Sequence, residues 1–412
     1  MARIVQKYGG SSVANLELIT GVAKRAISAK NQGNEVVVVL SAMKGETDRL
    51  MCLARDMFPE PSPRELDSLL STGEQISIAL FAIACQSMGE KVKSFLGFQA
   101  GIKTDDIHQK ARILEINPGR INTELAKGRI AVVAGFQGMN RSGDITTLGR
   151  GGSDTTAVAI AIALNADACE IYTDVDGIYT TDPNICNNAR KLDKISYEEM
   201  LELSSLGAKV MEIRSVELGM NYALPIHVRH AHSPGSGTII SKEEPDMEKT
   251  PVRGVTHQMN EARVTLVRVK DEPGVAARIL TIISKAEIIV DMIIQNRSRS
   301  LEGSSSGFTD FSFTVPLSDY QRTMELMNTA KNELGAEDIL GDDNIAKVSI
   351  VGVGMRNHAG VAATMFQAMA REGINIEMIT TSEIKISCVI AKKYAELAVR
   401  TLHDAFQLEM AP

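Results

Sequence analysis

In the first half of the chain, apolar residues fall into short unbroken runs set between stretches of helical spacing. Residues 4–6, 35–40 and 130–134 are β-rich. The Val-Val-Val-Val of the second run leaves no polar face, so it and the third predict buried parallel strands. Residues 16–30, 63–88 and 154–164 repeat apolar positions at helical spacing. Gly-rich segments follow Gln6, Leu40 and Ala134. This alternation predicts a wound α/β sheet, in which ligands sit at the carboxyl ends of the strands.

The pattern changes near residue 233, where SPGSGTIISKEEPDMEKTP predicts a boundary and linker. Beyond it the chain repeats itself. The stretch from Val264 overlays that from Val348, and from Gly274 onto Gly360 the offset stays at 86 residues without a gap. Gly-Val-Ala-Ala recurs, Asp291 meets Glu377, and Met292-Ile293 meets Met378-Ile379. Each copy reads strand, Gly turn, amphipathic helix, strand, as a small α+β module does. GSSSG at 303–307 predicts a hairpin tip inside the first copy.

Composition narrows the function classes. The 412 residues are 44% apolar, enough for two or three domains. A net charge of −7 argues against nucleic acid or an anionic membrane as the main partner, and 4% aromatics without Trp argues against base stacking. Cys52, Cys85, Cys169, Cys186 and Cys388 are scattered without a C-x-x-C pair, which predicts a reduced, cytoplasmic protein with neither disulfide frame nor zinc site. MARIVQKYGG carries no signal-peptide pattern, and runs such as AVAIAIAL are too short to span a bilayer.

Five segments carry candidate chemistry. Lys7-Tyr8-Gly9-Gly10-Ser11-Ser12 follows a strand and combines a cation with glycines that let backbone N–H groups approach an anion; Ser11 or Ser12 serves equally as a helix cap. Ser41 and Thr47 are hydroxyls at the end of the Val-rich strand, where a cap is the alternative. Glu74, in Ser-Thr-Gly-Glu, lies beside apolar helical sequence; an ordinary salt bridge competes there with a bound ammonium. TLGRGGSDTTA (147–157) lacks the lysine of a P-loop, and Asp154 breaks G-x-G-x-x-G at its sixth position. Its Arg150 suits a carboxylate, and Asp154 suits a helix N-cap or a partner for lysines that bear on phosphate. The fifth segment, 172–183, has Asp-Gly and Asp-Pro turns without the EF-hand pattern. His227, His230 and His232 have no acidic neighbour and predict structural or solvent-facing roles rather than a metal site.

Taken in order, KYGGSS, SAM…GET, STGEQIS, FQG…TLGRGGSDTTA, YTDVDGIYTTDP and LGAKVMEIRS resemble the aspartate kinases of the amino-acid kinase family, over the whole chain, and the C-terminal repeats resemble ACT modules. The resemblance implies a three-layer αβα kinase domain over 1–245, a linker and first strand over 246–261, and ACT modules over 262–341 and 342–412, with 250–261 a candidate to complete the second. It implies ATP-dependent phosphorylation of the β-carboxylate of L-aspartate, the first step of lysine, threonine and methionine biosynthesis, with Mg²⁺ held by phosphate oxygens and water. By resemblance, Lys7, Glu74 and Asp154 are catalytic; Lys7, Tyr8, Gly9, Gly10, Thr173, Asp174, Tyr179, Asp182, Lys209 and Val210 bind ATP. Ser41, Thr47, Glu74, Leu125, Ala126, Arg150, Gly151, Gly152 and Ser153 bind aspartate.

Lysine, threonine or both are the implied effectors. Their contacts map onto Asp271, Gly274, Ala276, Asp291 and Gln295 in the first copy, and onto Val361, Ala362, Asn375, Ile376, Ser382 and Glu383 in the second. Asp291, Glu377 and Glu383 are acceptors for an ammonium, with a solvated carboxylate as the alternative. ACT modules pair between chains, so a homodimer or tetramer is expected. One departure is Asn184, where the family commonly has Arg. Other amino-acid kinases and a non-catalytic sensor are the rivals; the ACT pair and the retained Lys7, Glu74 and Asp154 argue against them.

Overall fold

The structure, a computed structural model, describes residues 2–207, 210–243, 250–297 and 307–410. The chain divides into two units, Met1–Tyr179 with Lys191–Met247, and Thr180–Arg190 with Glu248–Pro412.

The first unit begins with β1 (Arg3–Tyr8), α1 (Leu16–Asn31), β2 (Glu35–Leu40), α2 (Glu46–Met57), α3 (Pro63–Leu70), α4 (Thr72–Ser87) and β3 (Val92–Phe95). It continues with β4 (Ile102–Thr104), β5 (Ile113–Ile116), α5 (Gly119–Ala126), β6 (Ile130–Ala134), β7 (Gln137–Met139), β8 (Ile145–Thr147), α6 (Gly152–Ala163) and β9 (Ala168–Thr173). The short pair β10 (Ile178–Tyr179) and β11 (Lys191–Leu192) follows, then β12 (Lys194–Ser196), α7 (Tyr197–Ser205), α8 (Ile213–Asn221), β13 (Ile226–His230) and β14 (Thr238–Ser241). The main sheet has the order β12-β14-β13-β9-β1-β2-β6-β3 and is parallel except between β13 and β14. β5-β4-β7-β8 form a small separate sheet.

The Val-rich strand is buried on both faces. Val36, Val38 and Leu40 pack with Ile130, Val132 and Ala134 against Val22, Ala23 and Ala26 of α1 and Ile78 and Phe81 of α4. Val37, Val39, Ala131 and Val133 are equally buried on the other side of the pleat. Each such Val, Leu, Ile or Phe side chain contributes about 1.5–3 kcal/mol relative to exposure.

Three local expectations are corrected. The helix predicted over 63–88 breaks at Ser71, whose carbonyl accepts from the Gln137 side chain (2.9 Å). Residues 63–87 together have the length and apolarity of a membrane span, longer than any apolar run read from the sequence. They carry a buried Asp67 and Glu74 and pack on α1, β3 and β6 as core helices do. The helix after the Gly-Gly turn starts at Leu16, capped by Asn15 rather than Ser11 or Ser12. The stretch after residue 233 is not all linker: Thr238–Ser241 alternates buried and half-buried positions and pairs with β13.

The second unit holds two modules of one design. The first comprises β16 (Glu261–Lys270), α9 (Val275–Lys285), β17 (Ile293–Arg297), β18 (Phe308–Pro316), α10 (Tyr320–Leu334) and β19 (Asp338–Asp342), preceded in the chain by β15 (Gly254–Gln258). The second comprises β20 (Ile345–Val351), α11 (Val361–Arg371), β21 (Met378–Thr381), β22 (Lys385–Ala391) and α12 (Ala395–Ala405). The sheets run β17-β18-β16-β19 and β15-β20-β22-β21, so β15 takes the place in the second that β19 holds in the first. The matched glycines Gly274 and Gly360 each cap a helix at φ 96°, a left-handed conformation that disfavours any side chain. The hairpin-tip stretch GSSSG lies outside the described residues except for Gly307.

Between the modules lies an ion cluster around a buried lysine. Lys347, 3% exposed, donates to Glu261 (2.7 Å) and to Asp291, and Arg263 pairs with Glu377 (2.7 Å). Glu383 pairs with Arg356 at 3.2 Å. The three carboxylates read as ammonium acceptors or solvated groups therefore each hold a cation of this chain.

Candidate active site

Four parallel strands end together: β1 at Tyr8, β2 at Leu40, β6 at Ala134 and β9 at Thr173. The loops leaving them interlock through small residues. A Cβ on Gly10 would lie 2.8 Å from the Ala42 carbonyl, and one on Gly135 would lie 2.7 Å from the Ser153 hydroxyl. The Ser41 N–H donates to the Tyr8 carbonyl (3.1 Å) and the Gly135 N–H to that of Leu40 (3.0 Å).

Strand alternation sends Lys7 to the face covered by α6, where its ammonium pairs with Asp154 at 2.6 Å. Asp154 is not the N-cap: α6 begins at Gly152, with Gly151 in the capping place at φ 66°. The carboxylate thus lies in the first helical turn, where the helix dipole favours it, and serves the lysine. The same alternation turns Tyr8 the other way. Its ring is fully buried on the opposite face, stacked on Tyr172 (4.6 Å between centroids), leaving only its backbone to the loop.

Glu74 is 3% exposed in the first turn of α4. One carboxylate oxygen accepts the Ala42 N–H (3.1 Å), and the other has no partner. No basic side chain among the described residues pairs with it, so the ordinary salt bridge is excluded there. Burial pushes its carboxyl up to about 8, against the opposing pull of the Ala42 N–H. A buried group of this kind is incomplete without a cation or a proton.

The TLGRGG loop is held from three sides. Thr147 donates to the buried Asp67 (2.6 Å), which also bonds His108 (2.7 Å) and the Gln109 N–H. Arg214 donates to the carbonyls of Leu148 (2.7 Å) and Ala111 (3.0 Å). Glu212 packs so closely on Gly151 that a Cβ there would lie 2.3 Å from its Cγ. Burial, then the charge of Asp154, raises the Glu212 carboxyl, while Arg214 and Arg150 oppose. Arg150 is exposed and bonds to none of the described residues, so its guanidinium is open to a carboxylate. Gly152 and Ser153 are buried where the loop enters α6. Thr47 lies in α2, behind Gly45, which holds the capping place at φ 80°.

On the β9 side, Thr173 donates to Asp174 (3.0 Å), and Tyr179 donates to Asp176 (2.7 Å). Val210 is half-buried ahead of α8, and Lys209 lies outside the described residues. Asp182 belongs to the second unit, where it accepts from the Asn184 backbone (2.9 Å) and side chain (3.0 Å). Leu125 and Ala126 are not brought to the strand ends. They close α5, four residues before β6 begins, at the amino end of the sheet, with Leu125 buried and Ala126 exposed. The histidines serve backbone: His230 Nδ1 accepts from His232 and Ser233, and His227 contacts the Ser236 carbonyl.

Sequence reasoning passed over Asp67, Glu212 and Arg214. The last two stand in the quoted LGAKVMEIRS, and Asp67 is a carboxylate among Leu66, Leu69 and Leu70, a signal of the same kind as Glu74.

The sequence profile of the Amino acid kinase family matches residues 2–230, and ACT domain profiles match 263–330 and 348–406. The chain is 53% identical to the aspartokinase of Pseudomonas aeruginosa over 411 residues, covering 99% of this chain and 98% of that one. It is 49% identical to the aspartokinase of Mycobacterium tuberculosis over 411 residues, covering 99% and 97%. Among solved structures, E. coli aspartokinase III in complex with aspartate and ADP superposes with a TM-score of 0.79 at 25% identity, covering 98% of this chain and 99% of that one. The same enzyme in complex with lysine and aspartate gives 0.76 at 25%, again covering 98% and 99%. The chain belongs to the amino acid kinase family, among the aspartokinases with C-terminal ACT domains.

Proposed function

We propose that the chain transfers the γ-phosphoryl group of ATP to the β-carboxylate of L-aspartate, giving 4-phospho-L-aspartate, under feedback by lysine, threonine or both. One observation carries the reading: the strand ends unite a Lys7–Asp154 ion pair with a buried Glu74 that has one oxygen without a partner. The first suits a transferring phosphoryl group, the second an amino acid's ammonium.

An aspartate carboxylate has an ordinary pKa near 3.9 and is ionised at neutral pH, so no general base is required. Positioning and charge neutralisation do the work. Lys7, held by Asp154, stabilises charge on the phosphoryl oxygens, and the N–H groups of Gly9 and Gly10 line the same turn. Thr173, Asp174 and Tyr179 flank the nucleotide side, with Asp182, Lys209 and Val210 as the remaining candidates. Glu74 receives the ammonium, Arg150 a carboxylate, and Ser41, Thr47, Gly151, Gly152 and Ser153 shape the amino-acid pocket. Mg²⁺ is taken as the nucleotide's ion, held by phosphate oxygens and water.

Feedback is assigned to the ACT modules. An effector ammonium reaching Asp291 shares that carboxylate with Lys347, which holds one of its oxygens. The edge strands β17 and β21 expose Ile293 (48%) and Ile379 (43%), which supports pairing between chains. The test is ATP with L-aspartate or L-glutamate and hydroxylamine to trap the acyl phosphate. Aspartyl hydroxamate formed in preference to glutamyl hydroxamate is the expected result, and its absence refutes the reading. Millimolar lysine and threonine, alone and together, then test the feedback; an unchanged rate rejects it.

A further inference from the structure

On the sheet face away from Lys7, a groove of about 570 Å³ opens between α1 and the strands β1, β9 and β13. Its size suits a metabolite. Lys24 and Arg25 reach it from α1, and Arg229 from β13. Arg25 and Arg229 both stand over the Tyr172 ring, at 5.0 and 5.8 Å from its centroid. Two guanidinium groups on one ring repel each other, and only Arg229 has a counter-ion, Glu170 at 3.0 Å. The side chains of Lys24 and Arg25 make no hydrogen bond or ion pair with any described residue.

Glu170 does not supply the missing charge. One of its oxygens takes Arg229; the other accepts from Gln6 (2.8 Å) and from the Tyr172 hydroxyl (3.0 Å). Three cations therefore face one carboxylate that already takes three donors. The kinase chemistry uses none of these side chains, which lie across the sheet from the Lys7–Asp154 pair.

We propose that this groove is an anion site, taking a small dianion, a phosphate monoester or a dicarboxylate, between Lys24, Arg25 and Arg229. The site adjoins the nucleotide loops without sharing them: Tyr172 stacks on Tyr8, and its carbonyl accepts the Gly9 N–H at 3.4 Å.

The test is calorimetric titration of the full chain, saturated with ADP and aspartate, using inorganic phosphate in one arm and succinate in the other. Saturable binding of either, at one site per chain, is expected, and the arm that binds tells phosphate from dicarboxylate. Arg25→Gln should weaken it at least tenfold, roughly what losing one charge-assisted contact removes. Ser28→Glu, at an exposed position on the groove's lip, should abolish it without touching the core. Lys7→Ala should leave it unchanged. No saturable binding in either arm overturns the proposal. So does binding that survives both groove variants, or binding lost in Lys7→Ala, which would place the anion in the nucleotide site.

Discussion

Replacing Glu74 by Gln removes one titration and little else. The amide oxygen can still accept the Ala42 N–H, and the volume is conserved. In the wild type the carboxyl titrates near 8, so about 3% is ionised at pH 6.5 and about 76% at pH 8.5. If only the carboxylate receives the substrate ammonium, the wild-type KM for L-aspartate should fall about 25-fold across that interval. In Glu74→Gln the fall should vanish. At pH 8.5 the variant should show a KM raised about 10- to 100-fold, the worth of a charge-assisted hydrogen bond. Hydroxamate rates against aspartate concentration give both values, and the wild-type-to-variant ratio cancels every other titration. The shift also has a stability sign. The folded group holds its proton up to about 8 and the unfolded one only to 4.5, so its contribution is full below pH 4.5 and lost as pH rises through 8. Ligand-free wild type should therefore lose Tm relative to Glu74→Gln between pH 6 and 9, and saturating aspartate should restore it. A wild-type KM profile that the variant reproduces refutes the reasoning.

Three further outcomes are expected. Lys7→Ala should lower kcat about 100- to 1,000-fold while raising the KM for ATP far less, because its charge serves the transition state; equal losses in both would contradict that role. Gly151→Ala, at φ 66° with Glu212 2.3 Å from the new Cβ, should impair activity and melt several degrees lower. Gly33→Ala, at φ 90° in open space, is its control and should cost only about 1 kcal/mol. Lys347→Met strands the buried Glu261, while Asp291 stays open to water, and should destabilise the second unit by about 3–5 kcal/mol, read by denaturant unfolding; adding Glu261→Gln should recover most of it.

Much of the fold was legible because burial on both faces writes itself as unbroken Val runs, and because duplication repeats Gly274 at Gly360. The strand ends bearing Lys7, Ser41 and the Gly-rich loop followed from the wound-sheet rule. What escaped depended on contacts distant in sequence. A helix that periodicity continues is interrupted at Ser71, where the carbonyl takes the distant Gln137 side chain. For Asp154 the residue type allowed both a cap and a lysine partner, and packing against β1 decides for the lysine. Leu125-Ala126 matched by resemblance, yet chain direction puts the pair at the wrong end of β6. The cations on Asp291 and Glu377 come from the other repeat, which local sequence cannot announce.

The central claim is that the β-carboxylate of aspartate is itself the nucleophile on ATP's γ-phosphorus. Aspartate carrying heavy oxygen in that carboxylate, turned over with ATP and trapped with hydroxylamine, tests it directly. Hydroxylamine attacks the acyl carbon, so the phosphate released should carry one heavy oxygen per hydroxamate formed, with every turnover dependent on ATP. Phosphate free of the label, or hydroxamate formed without ATP, would contradict the account.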